Sequence, residues 1–426
     1  MLAPFLISFI VLMAVGIPVA LAMGGSALIY AFLSGDISPT LLIQTTFAGM
    51  TSFPLLAIPL FILAGNLMNE GGITDDLVNF SRQLVGHIRG GSGLTTIVAC
   101  AIFASISGSA VATAVAIGTV MLPAMRRAGY DNGVSAAMTA TASCMGPIIP
   151  PSIPFIIYGV IAQVSIGALF IAGIIPGLLL GAGLMVYMAA VASRDGYPRE
   201  PRAPFLDLLK GAFRALPSLA MPVIIIGGIW GGVFTPTEAA GIAVVYACIA
   251  GFLIYRRLRL DRMYPLLLKS GVEAAVVMLL LGLSEPFAWI VAVEQLPLKI
   301  MEAFSGFSSS PYVFLLFANI FLLLIGIPLE TAPALTIVTP VLVPLAAKFG
   351  IDPIHFGVIV CFNLVLGLIT PPVGGVLFSI CGITALSLER LSRSIWIPFL
   401  IAMGVLMIVT YVPILSTYLP RIILPN

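Results

Sequence analysis

Residues 123–151 read PAMRRAGYDNGVSAAMTATASCMGPIIPP, and residues 344–372 read PLAAKFGIDPIHFGVIVCFNLVLGLITPP. Laid side by side without a gap, Pro123 falls on Pro344, Gly129 on Gly350, Asp131 on Asp352, Gly146 on Gly367 and Pro150-Pro151 on Pro371-Pro372, each pair 221 positions apart. Prolines and glycines punctuate the backbone, so one offset shared by all of them means two structural repeats. Working outward, each copy is preceded by an apolar stretch with a break inside it. The first break is Ser105-Ile-Ser-Gly-Ser109 and the second is Gly326-Ile-Pro-Leu-Glu-Thr331. Interrupted hydrophobic helices at corresponding places in two halves point to a secondary transporter.

Composition agrees with that class. The chain is 60% hydrophobic and 8% charged, with a mean hydropathy of +1.17, whereas a soluble domain carries about 25% charged residues. It reads as an all-α polytopic membrane protein. The net charge of +2 implies no nucleic-acid partner, because the basic residues sit in short loops. Cys100, Cys144, Cys248, Cys361 and Cys381 have no paired or metal-like spacing and read as small core residues. The N-terminus is apolar from Leu2 with no basic region and no cleavage signature, which predicts a retained span rather than a signal peptide.

Apolar segments of about 20 residues suffice to cross a bilayer. The first half, residues 1–192, holds segments at 3–16, 18–33 and 53–68, a broken segment 94–125, a span 133–162 broken by its prolines, and 167–191. After a linker at 193–216, the second half, residues 217–426, holds 217–233, 238–255 and 271–293, a broken segment 311–348, a broken span 355–384, and 395–418. If each broken segment is a re-entrant hairpin, each half crosses five times. An odd number turns the second copy upside down, the inverted-repeat arrangement. With both termini periplasmic, every Lys and Arg of the 19 except Lys299, Lys348 and Arg421 falls on the cytoplasmic side, as the positive-inside rule requires. Asn69–Gly90 and Val293–Ser310 read as interfacial arms, with Asp75, Asp76, Arg82 and His87 on a solvated face.

Irregular backbone survives at membrane depth only where it lines a cavity or is buried in protein. Each half has two such places: the hairpin tip, and the middle of the next span, residues 146–152 or 367–374. Adjacent prolines there remove donors and split the helix. The freed carbonyls suit a hard cation such as Na+, by analogy with calcium and magnesium, and helix C-termini add negative partial charge. Two symmetry-related cation sites are therefore expected, with candidate ligands Ser105, Ser107, Gly108, Ser109, Gly146 and Pro150 in the first half. In the second they are Gly326, Pro328, Glu330, Thr331, Gly367, Thr370 and Pro371. Asn66, Ser143, Ser152 and Asn363 are the candidate substrate contacts, with Asn66 equally readable as interhelical glue. The competing reading of each hydroxyl is that it bonds its own helix backbone. Glu330, an intramembrane carboxylate, reads first as a cap on the half-helix that follows and second as a ligand. Glu285-Pro286 reads as a structural helix break, and Gly173, Gly177 and Gly181 as a close packing contact. No Lys or Arg lies near the tips, so a bound anion would rely on helix N-termini, hydroxyls and co-bound cations.

The runs Gly86-His-Ile-Arg-Gly-Gly91, Ser107-Gly-Ser-Ala110, Gly129-Tyr-Asp131, Ile149-Pro-Pro-Ser152, Pro176-Gly177, Gly350-Ile-Asp-Pro353 and Ile369-Thr-Pro-Pro-Val-Gly374 resemble the large membrane subunit of tripartite ATP-independent periplasmic (TRAP) transporters, the DctM-like family. The resemblance spans the chain in order. It implies an elevator in the bacterial inner membrane, in which hairpins and broken spans slide against a scaffold of the other helices. It implies Na+-driven import, with two or more ions, of an organic acid of the sialic acid or C4-dicarboxylate class. The implied partners are a small four-helix membrane subunit, expected as a separate chain, and a periplasmic substrate-binding protein.

Two alternatives remain at this stage. A stand-alone carboxylate–sodium symporter would share the repeats but need no binding protein. An intramembrane enzyme would need a nucleophile and a base, yet the two histidines, His87 and His355, fall in expected loops, so no enzymatic activity is expected. A cation channel lacks its ring of acidic residues, and a structural anchor would not need two broken hairpins.

Overall fold

The computed structural model describes residues 2–35, 37–305 and 310–424. Among them the fold is all-helical. The first repeat comprises α1 (Leu2–Ala14), α2 (Val19–Ser34), α3 (Pro39–Met50), α4 (Ala57–Glu70), α5 (Ile73–Val85), α6 (Gly91–Ser107), α7 (Ala110–Arg127), α8 (Asn132–Ser143), α9 (Ile153–Ile161), α10 (Ile166–Ala172) and α11 (Ile174–Arg194). The second comprises α12 (Phe205–Trp230), α13 (Pro236–Ile249), α14 (Leu260–Val293), α15 (Leu296–Ser305), α16 (Pro311–Gly326), α17 (Thr331–Lys348), α18 (Pro353–Gly367), α19 (Gly375–Thr384), α20 (Leu388–Tyr411) and α21 (Ile414–Ile423). The 221-residue offset carries α7 onto α17 residue for residue, α8 onto α18, α9 onto α19, and the kinked pair α3–α4 onto the unbroken α14.

The repeated residues build the same local structure twice. Gly129 and Gly350 take left-handed φ of 83° and 69°, a conformation that favours glycine, and turn the chain out of α7 and α17. Asp131 and Asp352 then cap the next helix. Asp131 Oδ1 accepts from the N–H groups of Gly133 (2.8 Å) and Val134 (3.1 Å). Asp352 Oδ1 does the same for Ile354 and His355, at 2.8 and 3.1 Å. Pro150-Pro151 and Pro371-Pro372 are both cis.

Packing sorts the helices into a frame and a body. In the frame α4 packs on α13, and α14 packs on α2 and α3. In the body the hairpins α6–α7 and α16–α17 pack on the broken spans α8–α9 and α18–α19, with α20 against α8. The groups meet where α4 touches α6 and α14 touches α17. Helix α5 has apolar Ile73, Leu77 and Val78 buried on one side, with Asp75 exposed on the other. Of the second expected arm, Val293–Ser310, the structure describes residues 293–305, most of them in α15, and Ser310; residues 306–309 lie outside the described set.

Charged residues read as lying on one face do gather at one end. Arg82 pairs with Glu200 (3.6 Å), Arg257 with Asp75 (3.5 Å), Arg262 with Glu70 (3.0 Å) and Arg390 with Asp131 (3.1 Å). Tyr30 and Lys299 meet Glu294 elsewhere, at 2.8 and 3.5 Å.

Several expectations change. Glu285-Pro286 breaks nothing: α14 runs 34 residues through it, and the Ser284 hydroxyl donates to the Leu281 carbonyl (2.8 Å). Neighbouring helices and Ser hydroxyls make such a proline tolerable in a membrane. The linker is shorter than the charge pattern suggested, because α12 already starts at Phe205 behind Pro204. His355 is no loop residue; it is 2% exposed in the first turn of α18, with Nδ1 2.7 Å from Ser416 Oγ and Nε2 3.2 Å from the Thr410 carbonyl. Cys100, Cys144 and Cys361 are buried, and Cys248 and Cys381 are half-buried.

Candidate functional site

At the first hairpin tip, Gly108 ends α6 in a left-handed turn (φ 62°), and Ser109 caps α7 by accepting from the Ala112 N–H at 3.3 Å. The Ser107 and Thr113 hydroxyls lie 2.8 Å apart, and Thr113 Oγ1 also donates to the Ser109 carbonyl at 2.8 Å. Three oxygens are thus gathered in one turn.

The break of the first span closes on this knot. A Cβ added to Gly146 would stand 2.7 Å from the Ser109 carbonyl oxygen and 2.8 Å from Thr113 Oγ1. One added to Gly108 would stand 2.8 Å from the Pro151 carbonyl oxygen and 3.6 Å from the Ile153 nitrogen. Only glycine permits both approaches. The ends of α6 and α7 therefore meet the loop between α8 and α9, which brings negative C-terminal and positive N-terminal partial charge to one place. Gly173 and Gly177 of the glycine series let the start of α11 approach the same loop, at the Ile148 carbonyl and the Ile149 side chain.

The second half repeats the contact with different chemistry. A Cβ on Gly367 would lie 2.4 Å from the Gly326 carbonyl oxygen and 2.7 Å from its Cα, so tip and break touch backbone to backbone. The hydroxyls of Ser105, Ser107 and Ser109 at the first tip have no equivalents in the second, where Gly326, Pro328 and Glu330 stand. Thr331 opens α17, and its Oγ1 is buried without a hydrogen-bond partner. A buried polar atom left unpaired is costly, so this hydroxyl invites a ligand. Asn363 is fully buried; its amide donates to the Asn319 carbonyl (2.9 Å) and side-chain oxygen (2.8 Å), while its own Oδ1 has no partner.

The remaining candidates separate. Ser105 and Ser143 give their hydroxyls to their own helices, at Ile102 (2.6 Å) and Ala140 (2.7 Å), and Thr370, in the break, gives its hydroxyl to the end of α18 at Leu366 (2.8 Å). Ser152 caps α9 through the Phe155 N–H (3.2 Å) and donates to the Pro147 carbonyl, holding the break in shape. Glu330 occupies the N-cap position of α17, but its exposed side chain makes no capping bond, which corrects the capping expectation. Pro150 and Pro371 shape their breaks, and Pro328 is exposed on the second tip. Asn66 turns away from the tips: its amide donates to Ser270 Oγ (3.0 Å) and Glu273 Oε2 (2.8 Å) on α14. Its neighbour Gly65 faces the tip instead: a Cβ added there would stand 3.6 Å from Ser107 Cα.

Thr113, Asn319 and Gly65 went unremarked in the sequence. Asn319 had a signal, as the one amide in the apolar helix PYVFLLFANIFLLLIG. Thr113 lies one turn past Ser109, and Gly65 had no signal of its own. Among the described residues no three His, Cys, Asp or Glu side chains form a metal cluster.

Comparison with known proteins fits this arrangement. Residues 6–415 match the family model described as the tripartite ATP-independent periplasmic transporter, DctM component. The chain is 39% identical to the sialic acid TRAP transporter large permease protein SiaM of Vibrio cholerae, over 96% of each chain. It is 40% identical to the C4-dicarboxylate TRAP transporter large permease protein DctM of Pseudomonas aeruginosa, over 87% of this chain and 86% of that one. It is also 39% identical to the isethionate TRAP transporter permease protein DctMQ of Oleidesulfovibrio alaskensis over 96% of this chain, and spans 65% of that relative's length. Among solved structures, the Alcanivorax borkumensis YdaH transporter, of unusual topology, shares the fold with a TM-score of 0.64 at 15% identity, covering 87% of this chain and 88% of that one. Two repeats with paired tips and breaks, and a family match along nearly the whole length, lead to one conclusion: this chain belongs to the DctM family, the large membrane subunit of TRAP transporters.

Proposed function

We propose that this subunit imports an organic acid across the bacterial inner membrane, driven by co-transported Na+. The observation that carries the reading is the tip-to-break contact, made twice at the same offset in the chain. At the first contact, the oxygens of Ser107, Ser109 and Thr113 are candidate ligands for one ion. At the second, the Gly326 carbonyl and the Thr331 hydroxyl are candidates for another. The carboxylate of the acid would be neutralised by the α7 and α9 N-termini and by the ions themselves.

The division into frame and body supports an elevator, in which α6–α11 and α16–α21 slide past α1–α4 and α12–α14. The cluster of Arg82, Arg257, Arg262 and Arg390 at one end supports placing that end in the cytoplasm and both termini in the periplasm. The relatives named for sialic acid and C4-dicarboxylates support an organic-acid substrate. The family supports a periplasmic binding protein and a small membrane subunit as partners.

The test is uptake of labelled sialic acid and labelled succinate into proteoliposomes holding this chain and its small subunit, with and without the binding protein. Uptake requiring both the binding protein and an inward Na+ gradient is the expected result. Uptake indifferent to the binding protein would instead indicate a stand-alone symporter.

A further inference from the structure

The counterparts α3–α4 and α14 cross each other twice. Gly49 on α3 lies against Glu285 and Leu281 in the second half of α14, and Asn66 on α4 lies against Ser270 and Glu273 in its first half. The repeat offset exchanges the two crossings. At the α4 crossing a cavity of about 250 Å³ opens, lined by Asn66, Asn69, Glu70, Arg262, Leu266 and Lys269 among others. The counterparts of Asn66, Asn69, Glu70, Arg262 and Lys269 at the other crossing are Phe287, Ile290, Val291, Leu41 and Ala48. At these five positions the fold builds the other crossing from apolar residues, with Glu285 as the charged group there, so packing does not demand the mixed-charge lining of Glu70, Arg262 and Lys269.

Both signs of charge alternate around this cavity. Arg262 Nη1 is 3.0 Å from Glu70 Oε1, and Lys269 Nζ is 3.9 Å from Glu273 Oε1, whose other oxygen accepts from Asn66. Just beyond, Leu268, Val272, Val276 and Leu279 stand exposed at helical spacing along α14. A mouth of mixed charge joined to an exposed apolar stripe complements a molecule with a zwitterionic head and a hydrocarbon tail.

We propose that this cavity binds a phospholipid of the ethanolamine type. Its phosphate lies against Arg262 and Lys269, its ammonium donates to Glu70 and Glu273, and its acyl chains follow the apolar stripe. A purely anionic head would face the two carboxylates, and a choline head has no N–H to donate to them. The proposal rests on the chain lying in a bilayer, but on none of the ion or substrate assignments.

The experiment uses the full-length, delipidated chain in detergent. Binding of dioleoylphosphatidylethanolamine, dioleoylphosphatidylcholine, dioleoylphosphatidylglycerol and free phosphoethanolamine is measured by native mass spectrometry and by the shift in melting temperature. The ethanolamine lipid is expected to bind best, with about tenfold weaker binding in Arg262→Gln and in Lys269→Gln, the loss of one charge-assisted contact. Both side chains are mostly exposed, so melting without lipid should be unchanged; Lys269→Gln, at the rim, serves if Arg262→Gln folds poorly. Equal binding of all three lipids, or wild-type binding by both variants, would overturn the proposal. So would free phosphoethanolamine competing as well as the lipid, which would make the ligand a soluble ester. Displacement of the lipid from this cavity by the small membrane subunit would also overturn it.

Discussion

The thiol of Cys144 lies 3.9 Å from the carbonyl oxygen of Val365, and these residues are each other's counterparts, 221 positions apart. Counterparts touch only where the axis relating the repeats passes between them. The axis therefore runs between the inner ends of α8 and α18, beside both breaks. The packing is exchanged about it as well: α7 lies on α19, and α17 lies on α9. Each hairpin thus leans on the broken span of the other half.

The tip-to-break contacts depend on missing side chains. Gly146→Ala and Gly367→Ala each drive a methyl into backbone oxygen, at 2.7 and 2.4 Å. Overpacking of this kind costs about 1–3 kcal/mol, so a lowered melting temperature and lost uptake are expected. Gly227→Ala and Gly382→Ala, whose added Cβ meets nothing within 4 Å, should behave as wild type in the same assays. Equal tolerance at all four positions would mean that the tips do not seat on the breaks.

Thr331 offers a test whose sign separates two readings. Its buried, unpartnered hydroxyl is a liability unless something binds it. If it ligates Na+, Thr331→Val should weaken the Na+ dependence of thermal stability by about tenfold in concentration, a shift of one decade, while leaving Na+-free stability equal or higher. A variant with unchanged Na+ response would remove Thr331 from the site.

Asn319 and Asn363 join the first arm of the second hairpin to its broken span. Interhelical hydrogen bonds in membranes are worth about 0.6 kcal/mol on average and about 1.7 at most. A double-mutant cycle with Asn319→Leu and Asn363→Leu, read by unfolding in detergent, should give a coupling in that range. Additive effects would show that the pair contributes packing alone.

At the polar end, burial pushes the Asp76 carboxyl above its ordinary value of 3.8, against the lowering pull of Arg257 and Arg214. The folded chain then holds that proton more tightly than the unfolded one, so stability falls as pH rises from the unfolded value through the folded one. Asp76→Asn should therefore raise the melting temperature at neutral pH, and the gain should vanish once both forms are protonated. A loss at neutral pH would make the arginine contacts dominant.

The sequence showed what the backbone does within one segment, and missed what segments do to each other. Hairpin 311–348 was legible because Gly326-Ile-Pro interrupts an otherwise unbroken apolar run. Gly146 and Gly367 were legible because they recur at one offset. The partner of Asn66 was not, since Ser270 and Glu273 lie over 200 residues away and meet it only through the crossing of α4 and α14. Pro286 misled, because neighbouring helices make a proline tolerable inside a membrane helix, and α14 runs through it unbroken. Ser105 and Thr370 read as cation ligands and Ser143 as a substrate contact from position alone, yet Ser105 and Ser143 bond their own helices and Thr370 bonds the end of α18.

The initial rate of acid uptake against Na+ concentration, at fixed pH and saturating binding protein, tests the two-site reading most directly. The account predicts a sigmoidal dependence with a Hill coefficient above 1, lost when choline replaces Na+. Uptake indifferent to Na+, or a simple hyperbola with a coefficient of 1, would contradict two coupled cation sites at the hairpin tips.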